Sequence, residues 1–260
     1  MTLVNSFVRP IKDFFIEAGE LSQFGMRFFR EGFKPPYEFK ELLRQSYEIG
    51  YRSIPLVAFT AFIMGLVITI QSHPALEVFG AESWLPSIVS VSLVREITPV
   101  ITALICAGKV GSSIGAEIGS MKVTEQIDAM EVSGTNPFKY LVATRVMSTT
   151  LMLPLLVIFG DAVALYGGFL GVNIRGVTSL ELFTTQVFNK LTFGDVLPSI
   201  IKSVFFGFVI GIVGAFKGYT TSKGTEGVGR SANAAVVISS FVVFIVDLLA
   251  AQISDILHLT

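Results

Sequence analysis

The sequence predicts an all-α, polytopic membrane protein: five transmembrane helices, an amphipathic helix before them, and a short cytoplasmic helix between two of them. Three observations carry this. Of 260 residues, 52% are apolar and only 15% are charged, where a soluble domain carries ~25% charged residues. Mean hydropathy is +0.69. Five stretches approach the ~20 apolar residues that a spanning helix needs. The same composition excludes a disordered chain, which would be polar and charge-rich. One cysteine excludes an internal disulfide framework. Nineteen Lys and Arg against 20 Asp and Glu give a net charge of −1, which argues against nucleic acid as a partner.

Taken in order, residues 1–52 read as interfacial and connecting helices. Phe7, Ile11, Phe14, Ala18, Leu21, Gly25 and Phe28 recur with 4-3-4-3 spacing. Arg9, Lys12, Glu17, Glu20 and Arg27 fall largely elsewhere on the wheel. That pattern predicts a helix lying in the cytoplasmic interface, in preference to a soluble helix packed on a partner. Pro35-Pro36 breaks it, and a second short helix from Tyr37 to Gly50 leads into the first span. No signal peptide is visible in the first 50 residues, so the first span is expected to act as the internal signal.

Residues 53–260 read as the transmembrane domain. The spans are expected at about Ile54–Ile70, Leu85–Ala107, Val146–Val172, Val196–Phe216 and Ala234–Ile253. Basic residues set their orientation. Arg9, Lys12, Arg27, Arg30, Lys34, Lys40, Arg44 and Arg52 precede the first span. Lys109, Lys122, Lys139 and Arg145 edge the loop between spans two and three, and Lys217, Lys223 and Arg230 that between spans four and five. These fifteen mark one side, against Arg175 and Lys190 on the other. The N-terminus is therefore expected in the cytoplasm and the C-terminus outside.

Small residues let membrane helices approach closely. Gly207, Gly211, Gly214 and Gly218 share one face of span four, and Gly111, Gly115 and Gly119 follow span two at intervals of four, beside Ser112, Ala116 and Ser120. Packing within the subunit is the favoured reading, and a subunit interface stays open.

Charges inside spans cost at least ~2.5 kcal/mol at the bilayer centre, so they pair or face a cavity. Arg95, Glu96, Asp161, Lys202 and Asp247 are such charges. Arg95 and Glu96 point about 100° apart on a helix and need not satisfy one another. Lys202 and Asp247 are the expected partners, either fixing helix register or lining a polar cavity. Asp161, beside Gly160, sits at a kink or faces water. Cys106 reads as a small buried hydrophobe. His73 and His258 are too far apart in sequence to suggest a metal site.

The segment of about 108–145 is the longest cytoplasmic connection. Thr124 is expected to cap a short acidic helix with Glu125 and Asp128 in its first turn. Gln126 and Glu131 belong to the same helix, Ile127 and Met130 give it an apolar edge, Gly134 suits its C′ position, and Pro137 follows. Such a knob serves for docking, or is simply a solvated loop helix.

The run LVREITPVITALICAGKVGSSIGAEIGSMKVTEQIDAMEVSGTNP, residues 93–137, closely resembles the signature region of MlaE/YrbE-type permeases, the membrane subunits of MCE-associated ABC lipid transporters. The resemblance extends over nearly the whole chain, including the IKSVFFG segment with Lys202 and the late Asp247. It implies a homodimer, a cytoplasmic ABC ATPase that binds ATP and Mg, a periplasmic MCE-domain lipid-binding protein, and membrane lipid as substrate. It further implies transport between inner and outer membranes of a diderm bacterium, or the equivalent route in plastids. Within it, Thr124–Glu131 resembles the helix that couples to the ATPase, and Arg95 and Glu96 match a polar pair in the lipid cavity. Asp161 has no counterpart in it. The chain itself lacks the phosphate-binding loop G-x-x-x-x-G-K-[ST], and it is expected to need no cofactor and no metal of its own. Two other classes make different demands on the sequence. A proton-coupled secondary transporter using Glu96 or Asp247 predicts internal repeats, and none is convincing. An intramembrane enzyme needs a nucleophile–base or metal set, and none is apparent.

Overall fold

The fold is described from a computed structural model, which covers residues 2–35, 37–174, 176, 178–222 and 224–256, with the side chains of residues 2–11, 13 and 14 excepted. The expectations placed on the side chains of Phe7, Arg9, Ile11 and Phe14, and on Pro36, Arg175, Lys223 and His258, lie outside the described residues. All regular structure among the described residues is helical: α1 Thr2–Glu31, α2 Phe39–Ile49, α3 Ile54–Val78, α4 Glu82–Val123, α5 Gln126–Val132, α6 Phe138–Asn173, α7 Leu180–Lys190, α8 Phe193–Tyr219 and α9 Thr225–Ile256. The five membrane-crossing helices are α3, α4, α6, α8 and α9, all long and apolar enough to span.

Helix α4 continues beyond the expected end of span two. It runs through Ala107 to Val123, carried by two π-helical turns, Leu93–Ile97 and Ala107–Gly111. The stretch after Ala107 is rich in Gly and Ser, which disfavour an isolated helix. Here their lack of bulk lets α4 pack, and packing overrides propensity. Likewise α6 starts at Phe138 rather than near Val146, because Phe138, Leu141 and Val142 are buried in a π-helical first turn. Only residues 124–137 therefore lie between α4 and α6. Helix α7 falls in the expected loop after span three, where Ser179 Oγ accepts from Leu182 N at 3.2 Å. Thr192 and Asp195 form a capping box that starts α8 three residues early; Thr192 N donates to Asp195 Oδ2 at 2.9 Å.

The helices meet at glycines. A Cβ on Gly207 would run into the Thr149 carbonyl, and one on Gly211 into the Thr149 side chain. Gly214 and Gly218 instead meet Gly111 and Gly115 carbonyls and the side chains of Ile114 and Ile118. The stripe on α8 is thus shared between α6 and α4. Gly115 lies against Ser231, Ala232 and Ala235 of α9; Gly119 lies against Thr221 and Ser231; Gly111 is nearest Ile210 and Ser239. Sequence reading passed over a further set: Gly65 abuts the Ala164 carbonyl, and Gly167 and Gly171 abut Phe62 and Thr69, which locks α3 to α6.

Residues of α4, α6 and α8 dominate the larger core, which Phe28 of α1, Ile49 of α2, Val57 of α3 and Val243 of α9 join. Cys106 is a free, buried thiol within it. A smaller core gathers Leu85, Val89, Leu93, Ala164, Phe183 and Val187 at the opposite end. Large apolar side chains cover the outside, among them Phe59, Leu155, Phe205, Phe241 and Leu248. Water would oppose that surface, and a hydrocarbon solvent does not. Leu21, Phe24 and Phe28 of α1 face the bundle, with Phe24 edge-on to Phe138 and Phe216. Ala18, expected on the same stripe, is exposed.

Candidate functional site

Glu96 lies on the π-helical turn of α4, Lys202 on α8 and Asp247 on α9. A π turn adds one residue per turn and so re-aims the side chains on it. Lys202, 3% exposed, places Nζ 2.6 Å from Glu96 Oε2 and 2.9 Å from Asp247 Oδ1. One ammonium thus joins three spanning helices. Arg95 Nε stands 3.9 Å from Glu96 Oε1, a loose contact between neighbours. Two cations and two carboxylates make the layer neutral, which keeps the cost of holding it in an apolar bundle low. Its open side is formed by Glu96 and Arg95, whose side chains are 40% and 29% exposed. These are donors and acceptors suited to a polar head group, set beside apolar walls.

Asp161 does not join this set through an ion pair. Its Oδ1 is buried, and its carboxyl lies beside the buried Thr98 hydroxyl. Gly160 packs against Thr98 and Thr102, so this part of α6 faces α4.

The second element is α5. Its entry residue is Glu125, in the left-handed region at φ 59°, a conformation costing a non-glycine residue ~1–2 kcal/mol. Thr124 is not its cap: the Thr124 hydroxyl donates back to the Ser120 carbonyl at 2.8 Å and closes α4. That corrects the expected capping role. The seven-residue helix is also shorter than the sequence suggests. Gly134 ends it at φ 81°, with Thr135 N on Met130 O and Gly134 N on Glu131 O, the Schellman pattern. Ile127 is buried and Met130 packs against the core, so the apolar edge faces inward. Gln126, Asp128 and Glu131 are exposed, next to Val132 at 91%. Lys122 Nζ holds Asp128 Oδ1 at 3.0 Å.

Contacts around this knob tie its flanking helices together. Arg145, 1% exposed, meets Glu117 at 2.8 Å and donates to the Leu141 carbonyl at 3.0 Å, tying α6 to the tail of α4. Arg27 of α1 lies 4.3 Å over the Phe138 ring. Lys139 Nζ reaches the carbonyls of Lys34 and Pro35 at 3.1 and 3.0 Å. Lys217 pairs with Glu17. Sequence reading counted Arg145 only as a marker of sidedness. Its apolar neighbours Leu141, Val142, Ala143 and Val146 were the available signal of burial.

The chain matches the family described as Permease MlaE over residues 42–253. A probable ABC transporter permease of Rickettsia typhi is 40% identical over 220 residues, 85% of each chain. One from Synechocystis is 38% identical over 206 residues, 79% of this chain and 78% of that one. The intermembrane phospholipid transport system permease protein MlaE of Haemophilus influenzae is 33% identical over 216 residues, 83% of each.

Proposed function

Because this chain belongs to the MlaE permease family, we propose that it is the membrane permease subunit of an ABC transporter that moves phospholipid between inner and outer membranes, driven by a separate ATPase. The observation that carries the reading is the family match over residues 42–253, which takes in the charged layer and α5 together. The proton-coupled carrier considered from sequence is not favoured by that match.

In this reading lipid sits against Arg95 and Glu96, with Lys202 and Asp247 holding the wall behind them. Two copies of the chain face one another across that layer. The support is physical: a carboxylate 40% exposed at hydrocarbon depth is costly unless protein or enclosed water covers it. A second copy supplies the cover. ATP and Mg belong to the cytoplasmic ATPase, which docks on α5. Its stroke would move α5 as a lever, since Ile127 anchors the knob in the core and Arg145–Glu117 ties both flanking helices. A periplasmic MCE-domain protein exchanges the lipid. The chain resides in the inner membrane with its N-terminus cytoplasmic and C-terminus periplasmic, a sidedness supported by the fifteen-to-two distribution of basic residues.

Changing Asp128 and Glu131 to Lys tests the docking. Both are exposed, and a surface pair such as Lys122–Asp128 is worth ~0–1 kcal/mol, so insertion and yield should be unchanged. Co-purification of the ATPase should fall at least about tenfold, which corresponds to 1.4 kcal/mol. Undiminished co-purification would remove α5 from the interface.

A further inference from the structure

One cleft is absorbed neither by the charged layer nor by α5. It has a volume of about 780 Å³ and lies between α2, the start of α3 and the tail of α4. Arg44, Arg52 and Lys109 stand at its polar side together with the carboxylates of Glu48 and Glu117, and Ile54, Val110 and Ile114 at its apolar side. The charges do not cancel. Arg44 faces Glu41 at 3.3 Å, Arg52 faces Glu48 at 2.7 Å, and Glu117 is held by Arg145 at 2.8 Å. Lys109 has no carboxylate partner among the described residues. Its ammonium donates to the Arg52 carbonyl and, at 3.2 Å, to Ser53 Oγ, both neutral oxygens. Four cations against three carboxylates leave one positive charge, and it resides on Lys109.

The depth of the cleft defines its surroundings. On α4, Lys109 lies thirteen residues beyond Glu96, ~20 Å at 1.5 Å per residue. Trp84, 62% exposed, begins the same helix. From Trp84 to Lys109 is twenty-five residues, ~38 Å, matching a hydrocarbon core of ~30 Å plus part of each head-group layer. Tyr47 and Tyr51 stack at 5.0 Å beside the cleft and are half exposed or more, as aromatic side chains are at a membrane interface.

We propose that this cleft binds an anionic glycerophospholipid of the cytoplasmic leaflet, its phosphodiester on Lys109 and its glycerol and upper acyl carbons along Ile54, Val110 and Ile114. The proposal rests on the membrane reading above, including its sidedness. It adds a lipid site ~20 Å from the charged layer. A free anion would gain nothing from the apolar side, which is why a lipid is the committed occupant.

The test is native mass spectrometry of the full chain in mixed micelles, titrated with phosphatidylglycerol and phosphatidylcholine of equal acyl length. The wild type should retain phosphatidylglycerol in preference. Lys109→Gln keeps a donor for the Arg52 carbonyl but removes the charge, and should lower that preference about fivefold. Lys109→Arg should keep it, and Lys190→Gln, the same charge change on the other side, should leave it unaltered. The proposal is overturned by a wild type without preference, or by Lys109→Gln retaining it in full. It is equally overturned by Lys190→Gln matching the loss, or by inorganic phosphate at millimolar concentration displacing the lipid. The readout needs no ATPase. A chain that prefers phosphatidylglycerol yet moves no lipid keeps this site and loses the permease reading, and the reverse result does the opposite.

Discussion

Lys202→Met should destabilise the protein by about 3–5 kcal/mol, the usual cost of removing one partner from a buried ion pair. Lys202 is 3% exposed and bonds Glu96 and Asp247 at 2.6 and 2.9 Å. Without its ammonium two carboxylates share one layer of an apolar bundle, and Arg95, 3.9 Å from Glu96, is the remaining cation. The helices α4, α8 and α9 lose their common tie at once. Methionine fills similar volume, so the loss is electrostatic rather than a cavity. Adding Glu96→Gln and Asp247→Asn to Lys202→Met should recover most of the stability, because no buried carboxylate is then left without its ammonium and the one charge that remains, Arg95, is part-exposed. Thermal unfolding followed by size-exclusion chromatography in detergent reads both variants. A triple variant as unstable as the single one would show that Lys202 acts through packing alone.

A single methyl group at Gly207 should cost about 2–3 kcal/mol, as overpacking commonly does. The obstacle is the Thr149 carbonyl and the Thr150 Cα, backbone that no rotamer change can move. Helix propensity favours alanine over glycine by about 0.5–1 kcal/mol, so packing must reverse the sign. Gly229→Ala is the control. Nothing lies within 4 Å of a Cβ there, and that variant should be neutral or slightly more stable. Equal melting temperatures for Gly207→Ala and Gly229→Ala would refute the account of how α6 and α8 meet.

Much of this architecture was legible because bilayer thickness imposes long apolar runs, and five such runs were visible. The charges inside them were equally plain, since Arg95, Glu96, Lys202 and Asp247 stand out against apolar neighbours. Helix ends were less legible. The tail of α4 from Gly108 to Val123 reads as loop by composition, yet it is helix because its small residues fit against α8 and α9. Thr124 looked like a cap by residue type, but the left-handed Glu125 resets the backbone before α5 begins. None of the three π turns has a period that a 3.6-residue pattern detects. The contacts of Arg145 and of Gly65 depend on which helices become neighbours, information that local sequence does not hold. The nature of the cargo came from resemblance and family membership, not from composition.

The central claim is that this chain moves phospholipid only when a separate ATPase drives it. Reconstituting the purified chain in liposomes, with and without its co-purifying ABC ATPase, and following a labelled phospholipid to an acceptor tests this directly. The account predicts no ATP hydrolysis and no ATP-dependent lipid movement by the chain alone, and both when the ATPase is present. ATP hydrolysis by the chain alone, or lipid movement driven by a proton gradient without the ATPase, would contradict it.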